Sequence, residues 1–93
     1  GYALSEAYVL EKGIPRTKNL KQLGVPTIFD TPEIECILIE DPEPSGPYGA
    51  KGISEVATVP VTPAILNAIY DAVGVRVRTL PATRDKIIAG RSS

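Results

Sequence analysis

The chain contains no histidine, no tryptophan and no methionine, and its single cysteine is Cys36. Without a His or a second Cys, the chain by itself cannot build a disulfide framework, a Cys/His zinc site, a Cys-ligated iron–sulfur cluster or a Ser-His or Cys-His nucleophile pair. The chemistry open to it is that of carboxylates, lysines and backbone groups. An excess of one charge is also missing: 10 Lys+Arg stand against 11 Asp+Glu, a formal charge of −1. With no clustered basic face to neutralise phosphates, nucleic acid is excluded as a partner. The longest unbroken strongly apolar run is Cys36-Ile37-Leu38-Ile39, far short of the roughly 20 residues needed to cross a bilayer. No basic stretch followed by an apolar segment opens the sequence, so a cytoplasmic chain without a membrane partner is expected. Aromatics are scarce as well: Phe29, Tyr2, Tyr8, Tyr48 and Tyr70 are all there are. Ninety-three residues with so few large apolar side chains make one small domain with a light core, whose capacity to fold alone is in question.

What is present is organised unevenly. Gly1 to Ala7 has the character of a helix already under way, since no capping residue precedes Tyr2-Ala3-Leu4; the reading is one of truncation. Tyr8-Val9-Leu10 reads as a short strand running into a turn at Glu11-Lys12-Gly13, where Gly13 supplies a positive φ. From Ile14 to Pro32 the pattern dissolves among Pro15, Gly24, Pro26 and Pro32, which marks a surface-running or partner-bound segment.

The strongest strand signal is Glu33-Ile34-Glu35-Cys36-Ile37-Leu38-Ile39-Glu40. Ile34, Cys36 and Leu38 share one face and Ile37 and Ile39 the other, so both faces ask for cover, as on an inner strand. Cys36 in that run reads as a small buried hydrophobe rather than a reactive thiol. A Pro- and Gly-rich break follows from Asp41 to Gly52. The principal helix is expected over 62–73, with Thr62 as N-cap, Pro63 at the first helical position and Gly74 just past the end. Ile65, Leu66, Ile69, Ala72 and Val73 form its apolar stripe, and Ala64 and Ala68 permit close approach of a neighbouring backbone. Val75-Arg76-Val77-Arg78 alternates as a half-exposed strand over about 75–79, and Thr83 caps a last short helix from Arg84 to Ala89, closed by Gly90.

The segment Gly46-Pro47-Tyr48-Gly49-Ala50-Lys51-Gly52-Ile53-Ser54-Glu55 concentrates the residues with chemical potential. Its glycines let backbone approach a ligand closely, and its carboxylate sits where a helix begins. The plainer alternative is a surface loop with a solvated Glu favoured by the helix dipole. Lys51 either lines a pocket or is a solvated Lys, and Tyr48 either packs under the loop or lines an entry. The sequence matches neither a P-loop nor the dinucleotide fingerprint. Glu40, Asp41 and Glu43 are close in sequence, but Pro42 and Pro44 extend the chain between them, which points to a solvated acidic turn rather than a metal site. Asn67 and Asp71 lie one turn apart on the polar face of the helix.

Taken in order, Thr31-Pro32-Glu33-Ile34, the loop from Gly46 to Glu55, the run Pro63 to Arg76 and Leu80-Pro81-Ala82-Thr83 resemble the C-terminal part of the molybdopterin-binding catalytic subunit of the xanthine dehydrogenase and aldehyde oxidase family. The resemblance covers almost the whole chain. It implies that Glu55 corresponds to the family's catalytic Glu, the general base in hydroxylation of an electron-poor carbon, and that Gly49, Lys51, Gly52 and Ser54 lie on the loop near the molybdenum. Ser54 stands where the family commonly has Gly, and Val56-Ala57 where Pro-Pro is frequent. The implied cofactor is a molybdenum-pyranopterin, held mainly by residues upstream. The implied partners are the remainder of that subunit, [2Fe–2S] and FAD domains or subunits to carry electrons away, and a small-molecule substrate, an N-heterocycle or an aldehyde.

The expected architecture is α+β, a fragment of a larger molybdenum-binding domain, with strands near 33–40 and 75–79, a helix near 62–73 and a short C-terminal helix. Such a fragment would be inactive alone. The competing expectation is a non-catalytic interaction module that dimerises through the helix at 62–73. A compact core with no exposed apolar face would argue against the fragment reading.

Overall fold

The computed structural model describes residues 1–91. It is α+β, as expected, but its sheet lies elsewhere in the sequence. Strands β1, Leu10–Glu11, and β2, Ile14–Pro15, pair antiparallel with Leu10 opposite Pro15 and Glu11 opposite Ile14. Lys12 and Gly13 both take positive φ, 51° and 77°, the two-residue connection whose twist matches that of the strands. The Gly13 turn was legible in the sequence; the return strand was not. At the open end the Arg16 amide donates to the Val9 carbonyl at 2.8 Å, and Arg16 Nε pairs with Glu11 Oε2 at 2.6 Å.

Helix α1, Leu20–Leu23, is a single turn inside the stretch read as irregular. Asn19 caps it by accepting from the Gln22 amide at 2.9 Å, and Gly24 ends it in the left-handed region at φ 92°. Residues 2–5 form a turn rather than a helix, in which the amides of Leu4, Ser5 and Glu6 all donate to the Gly1 carbonyl. That turn is stitched to α1 by Ala7 N–H to the Leu23 carbonyl at 2.9 Å and by Ser5 Oγ–H to the Gly24 carbonyl at 2.7 Å.

Helix α2 spans Val61–Val73 and ends, as the sequence indicates, at Gly74 with φ 71°. Its start differs from expectation. Pro60 occupies the cap position, with no side-chain cap, and Thr62 and Pro63 lie inside the first turn. The amides of a first turn have no partner within the helix, so Pro63 is tolerated at its third residue as well as at its first. Helix α3, Arg84–Arg91, runs through Gly90 instead of stopping before it. Thr83 does cap it, its Oγ1 accepting from the Lys86 amide at 3.4 Å.

The core is small. Val75, Val77 and Ala82 are buried together, with Leu66 and Ile69 of α2 and Ile87 of α3 packed against them. Ala3 is buried too, and its carbonyl accepts from Ala82 N–H at 2.7 Å. The expected alternation at 75–78 is therefore present as Val in, Arg out, although no ladder forms and the segment is not a strand. Helix α2 and the turn at Ala82 supply the cover that a neighbouring strand would have given. On α2, Ile65, Leu66 and Ile69 are half-buried while Ala72 and Val73 are exposed.

The larger departure is at 33–40. No strand forms there, and the whole stretch is exposed, with Ile37 at 76%, Leu38 at 85% and Ile39 at 88%. Cys36, expected to be buried, is exposed with it. A strand needs a hydrogen-bonded neighbour, and the described residues offer none to this stretch.

The exposed surface is 8345 Å², where a folded monomer of 9.9 kDa is expected to show about 5,200 Å². The radius of gyration is 17.6 Å, against about 12 Å for a compact domain of this length. The condition that would have argued against the fragment reading, a compact core without exposed apolar surface, is thus not met. The window Val56–Val73 is apolar enough by length and composition to cross a membrane. It is not one helix, however: a 3₁₀ turn at Val56–Thr58 precedes the 13 residues of α2, which reach only about 20 Å.

Candidate functional site

The Gly-rich loop is built as a closed turn followed by an open arm. The Gly46 amide donates to the Glu43 carbonyl at 3.2 Å and the Glu43 amide to the Gly49 carbonyl at 3.0 Å, which ties the two ends together. Between them Pro47–Gly49 makes one 3₁₀ turn, and Tyr48 and Gly49 both enter the left-handed region at φ 55° and 72°. Gly49 is needed there twice over, for its φ and because a Cβ would lie 2.9 Å from the Pro42 Cβ. Tyr48 adopts the same region with a side chain and is fully exposed, so packing beneath the loop, one of its two readings, is not what the structure shows.

The acidic turn is internally satisfied. Ser45 donates both its hydroxyl, at 2.7 Å, and its amide, at 3.0 Å, to Glu43 Oε1. The hydroxyl, then the amide, hold the Glu43 carboxyl below its ordinary range. Asp41 accepts from Lys51 Nζ at 2.8 Å. Among the described residues no cluster of His, Cys, Asp and Glu is arranged to hold a metal ion. Lys51, read either as lining the cofactor pocket or as a solvated cation, is a half-exposed side chain at the wall of a groove. Its ammonium is half-exposed and paired with Asp41, and its side chain borders a groove of about 480 Å³ together with Ile39, Tyr48, Gly49, Gly52 and Ile53.

Three of the five residues singled out from the sequence, Gly49, Lys51 and Gly52, therefore share one groove, while Ser54 and Glu55 lie beyond its rim. Gly52 has an ordinary φ, and nothing in the chain lies within 4 Å of where its Cβ would be. Nothing internal to these residues demands glycine there. Glu55 stands at the entry to the 3₁₀ turn Val56–Thr58, with its carbonyl accepting from the Thr58 amide at 3.0 Å and the Thr58 hydroxyl at 2.7 Å. These bonds hold the backbone of Glu55 and leave its exposed carboxylate to project from the turn that leads into α2.

Two interactions were not foreseen from the sequence. Arg76 reaches back over the outer face of α2, donating to Asn67 Oδ1 at 2.8 Å and lying 4.4 Å from the centre of the Tyr70 ring. Lys86 donates to the Thr79 and Pro81 carbonyls, at 3.1 and 2.9 Å, and so holds the cis Leu80–Pro81 corner against α3. Asn67 was placed on a polar helical face, but nothing in sequence spacing connects it to Arg76 across Gly74.

No family model matches the chain. Individual proteins do. It is 36% identical over 88 residues to a probable xanthine dehydrogenase subunit of Bacillus subtilis, covering 95% of this chain and 12% of that protein. It is 37% identical over 89 residues to the xanthine dehydrogenase molybdenum-binding subunit of Escherichia coli O157:H7, covering 94% and 12%. To the aldehyde oxidoreductase of Megalodesulfovibrio gigas it is 36% identical over 89 residues, covering 95% and 10%. Similarity of this extent to several oxidoreductases, running through the hairpin, the Gly-rich loop and both long helices, is that of shared descent. The chain belongs to the xanthine dehydrogenase and aldehyde oxidase family, and it spans about 12% of the length of the xanthine dehydrogenase relatives.

Proposed function

We propose that this chain is the C-terminal part of the catalytic subunit of a molybdenum hydroxylase, and that Glu55 is the general base of that enzyme. The observation that carries the reading is the placement of Glu55: its backbone is fixed by Thr58 and its carboxylate is exposed at the end of the Gly-rich loop. The cofactor implied is a molybdenum-pyranopterin. The residues present fit a group held by loop backbone rather than by protein ligands to the metal. No metal-ligating cluster exists among the described residues, and the space beside Gly52 is open.

When bound, that cofactor supplies the two-electron redox couple for oxidative hydroxylation with water-derived oxygen. The contribution of this chain is narrower. Gly49, Lys51, Gly52 and Ser54 form the loop that faces the cofactor, with Lys51 anchored by Asp41 so that the turn keeps its shape. Glu55 takes the proton from the attacking oxygen. The substrate is an N-heterocycle or an aldehyde, and electrons leave through [2Fe–2S] and FAD groups on other domains or subunits. By itself the chain, lacking those parts, is inactive.

Glu55→Gln in the full-length subunit tests this. The variant keeps shape and removes basicity, so substrate reduction of the enzyme in single turnover should slow by at least the roughly 10² to 10⁴ due to general base catalysis. Substrate binding should survive. A solvated Glu at a helix entry contributes only about 0.3 to 1 kcal/mol through the dipole, and its loss would leave turnover normal. A rate within about threefold of wild type, at matched molybdenum content, would remove Glu55 from the mechanism.

A further inference from the structure

Residues 33–40 carry the strongest strand pattern in the sequence, and the structure leaves them without any strand partner. None of the backbone groups from Glu33 to Glu40 is hydrogen-bonded among the described residues. The stretch lies between Pro32 and Pro42, neither of which can donate to a ladder. Its limits are thus marked chemically at both ends. Ile34, Cys36 and Leu38 would face one way and Ile37 and Ile39 the other, and all five are exposed.

Resting on the reading of this chain as part of a longer subunit, we infer that residues 33–40 form an inner strand, paired on both edges by strands lying N-terminal to Gly1 in that subunit. Three observations choose this occupant. Apolar residues on both faces require a covering layer on each side, and backbone N–H and C=O groups buried in that way need hydrogen-bond partners along both edges of the strand. The hairpin of β1 and β2 cannot serve, since its strands are two residues long and could pair with only a small part of the run from Glu33 to Glu40. The relatives are about eight times longer than this chain, which covers 12% of them, so ample chain exists to supply both neighbours. A second copy fits less well. A two-fold contact strand to strand satisfies one edge and leaves the opposite row of amides and carbonyls unpaired.

Backbone hydrogen exchange in the full-length subunit reads this directly, because an inner and an edge strand differ in period. An inner strand donates alternate amides to each neighbour, so every amide from Ile34 to Glu40 should exchange at least ~10³-fold more slowly than in an unfolded peptide. Protection of alternate residues only would make the segment an edge strand and overturn the inference, as would no protection. Protection that falls on dilution would assign the partner to a second copy and overturn it equally. Cys36 gives an independent reading. Its thiol should resist alkylation in the native subunit and react once denaturant is added, and rapid native alkylation counts against the strand. Both measurements use the unaltered protein, so no outcome depends on a variant that fails to fold. They also separate this inference from the proposed chemistry. Continuous protection together with normal turnover of Glu55→Gln would sink the mechanism and leave the strand standing. Unprotected amides with a crippled Glu55→Gln would do the reverse.

Discussion

Gly90 offers a test in which two effects of opposite sign compete. Replacing it with Ala removes a flexible residue from α3, which favours the helix by about 0.5 to 1 kcal/mol. The new methyl, however, would lie 2.5 Å from Val75 Cγ1 and 3.5 Å from Cγ2, where carbon atoms settle at about 3.5 to 4.0 Å. Something must move by about 1 Å, and Val75 has little room to do so. It is 5% exposed, wedged among Val77, Ala82, Leu66, Ile69 and Ile87, and its branched side chain is stiff about χ1. Overpacking of this kind costs about 1 to 3 kcal/mol. The steric term therefore wins, and Gly90→Ala should loosen α3 by about 1 to 2 kcal/mol net. Native-state hydrogen exchange of the Ile87 and Ile88 amides in the full-length subunit should accelerate by roughly 5- to 30-fold. Val75→Ala in the same background removes the Cγ1 methyl that collides, so the double variant should be less destabilised than the sum of the single ones. Unchanged or slower exchange in Gly90→Ala, or strict additivity with Val75→Ala, would refute the packing argument.

The two glycines of the loop should respond differently to the same change. Gly49→Ala meets both a left-handed φ and the Pro42 Cβ and should cost about 1 to 3 kcal/mol of local stability, seen as faster exchange at Ala50. Gly52→Ala meets nothing in this chain. It should leave folding unchanged while lowering cofactor content measured by metal analysis, and full molybdenum occupancy would show that Gly52 does not face the cofactor. Asp30 gives a pH-dependent case. The Thr27 amide and then its hydroxyl, both at 2.9 Å, hold the Asp30 carboxyl below the ordinary aspartate value. A folded value lower than the unfolded one means the turn at 27–30 gains from these bonds above about pH 4 and loses them as pH falls through the folded value. Thr27→Val removes the hydroxyl and keeps the amide, so the Asp30 midpoint followed by carboxyl NMR should rise without reaching the ordinary value. A wild-type midpoint at or above that value would contradict the hydrogen-bond account.

Local features were readable from sequence because their causes are local. Gly13 and Gly74 take positive φ where the chain must turn, Thr83 caps α3, and the Val75 and Val77 alternation sorts itself into buried and exposed. The same holds for the family, since the loop ending at Glu55 and the helix starting near Pro63 keep their order and spacing in the sequence itself. Where expectation and structure part, the missing information is non-local. Thr62 looked like a cap because Pro63 follows it, yet the helix starts at Val61, as the first-turn amides constrain the start only weakly. The hairpin return at Ile14–Pro15 was hidden by its proline, which edge pairing tolerates.

The sequence alone determines that the run at 33–40 is β-prone and two-sided, that the chain by itself cannot build a Cys/His metal site or a Cys-ligated cluster, and that Glu55 follows a loop able to approach a ligand. The tertiary structure alone decides which of these become geometry. It brings Gly49, Lys51 and Gly52 to one groove, pairs Lys51 with Asp41, folds Arg76 back on Asn67 and Tyr70, and leaves 33–40 extended and unpaired. The physical reason is one of range. A turn or a cap is settled within four residues by sterics and a single hydrogen bond, whereas a strand or a groove exists only when distant chain supplies its other half.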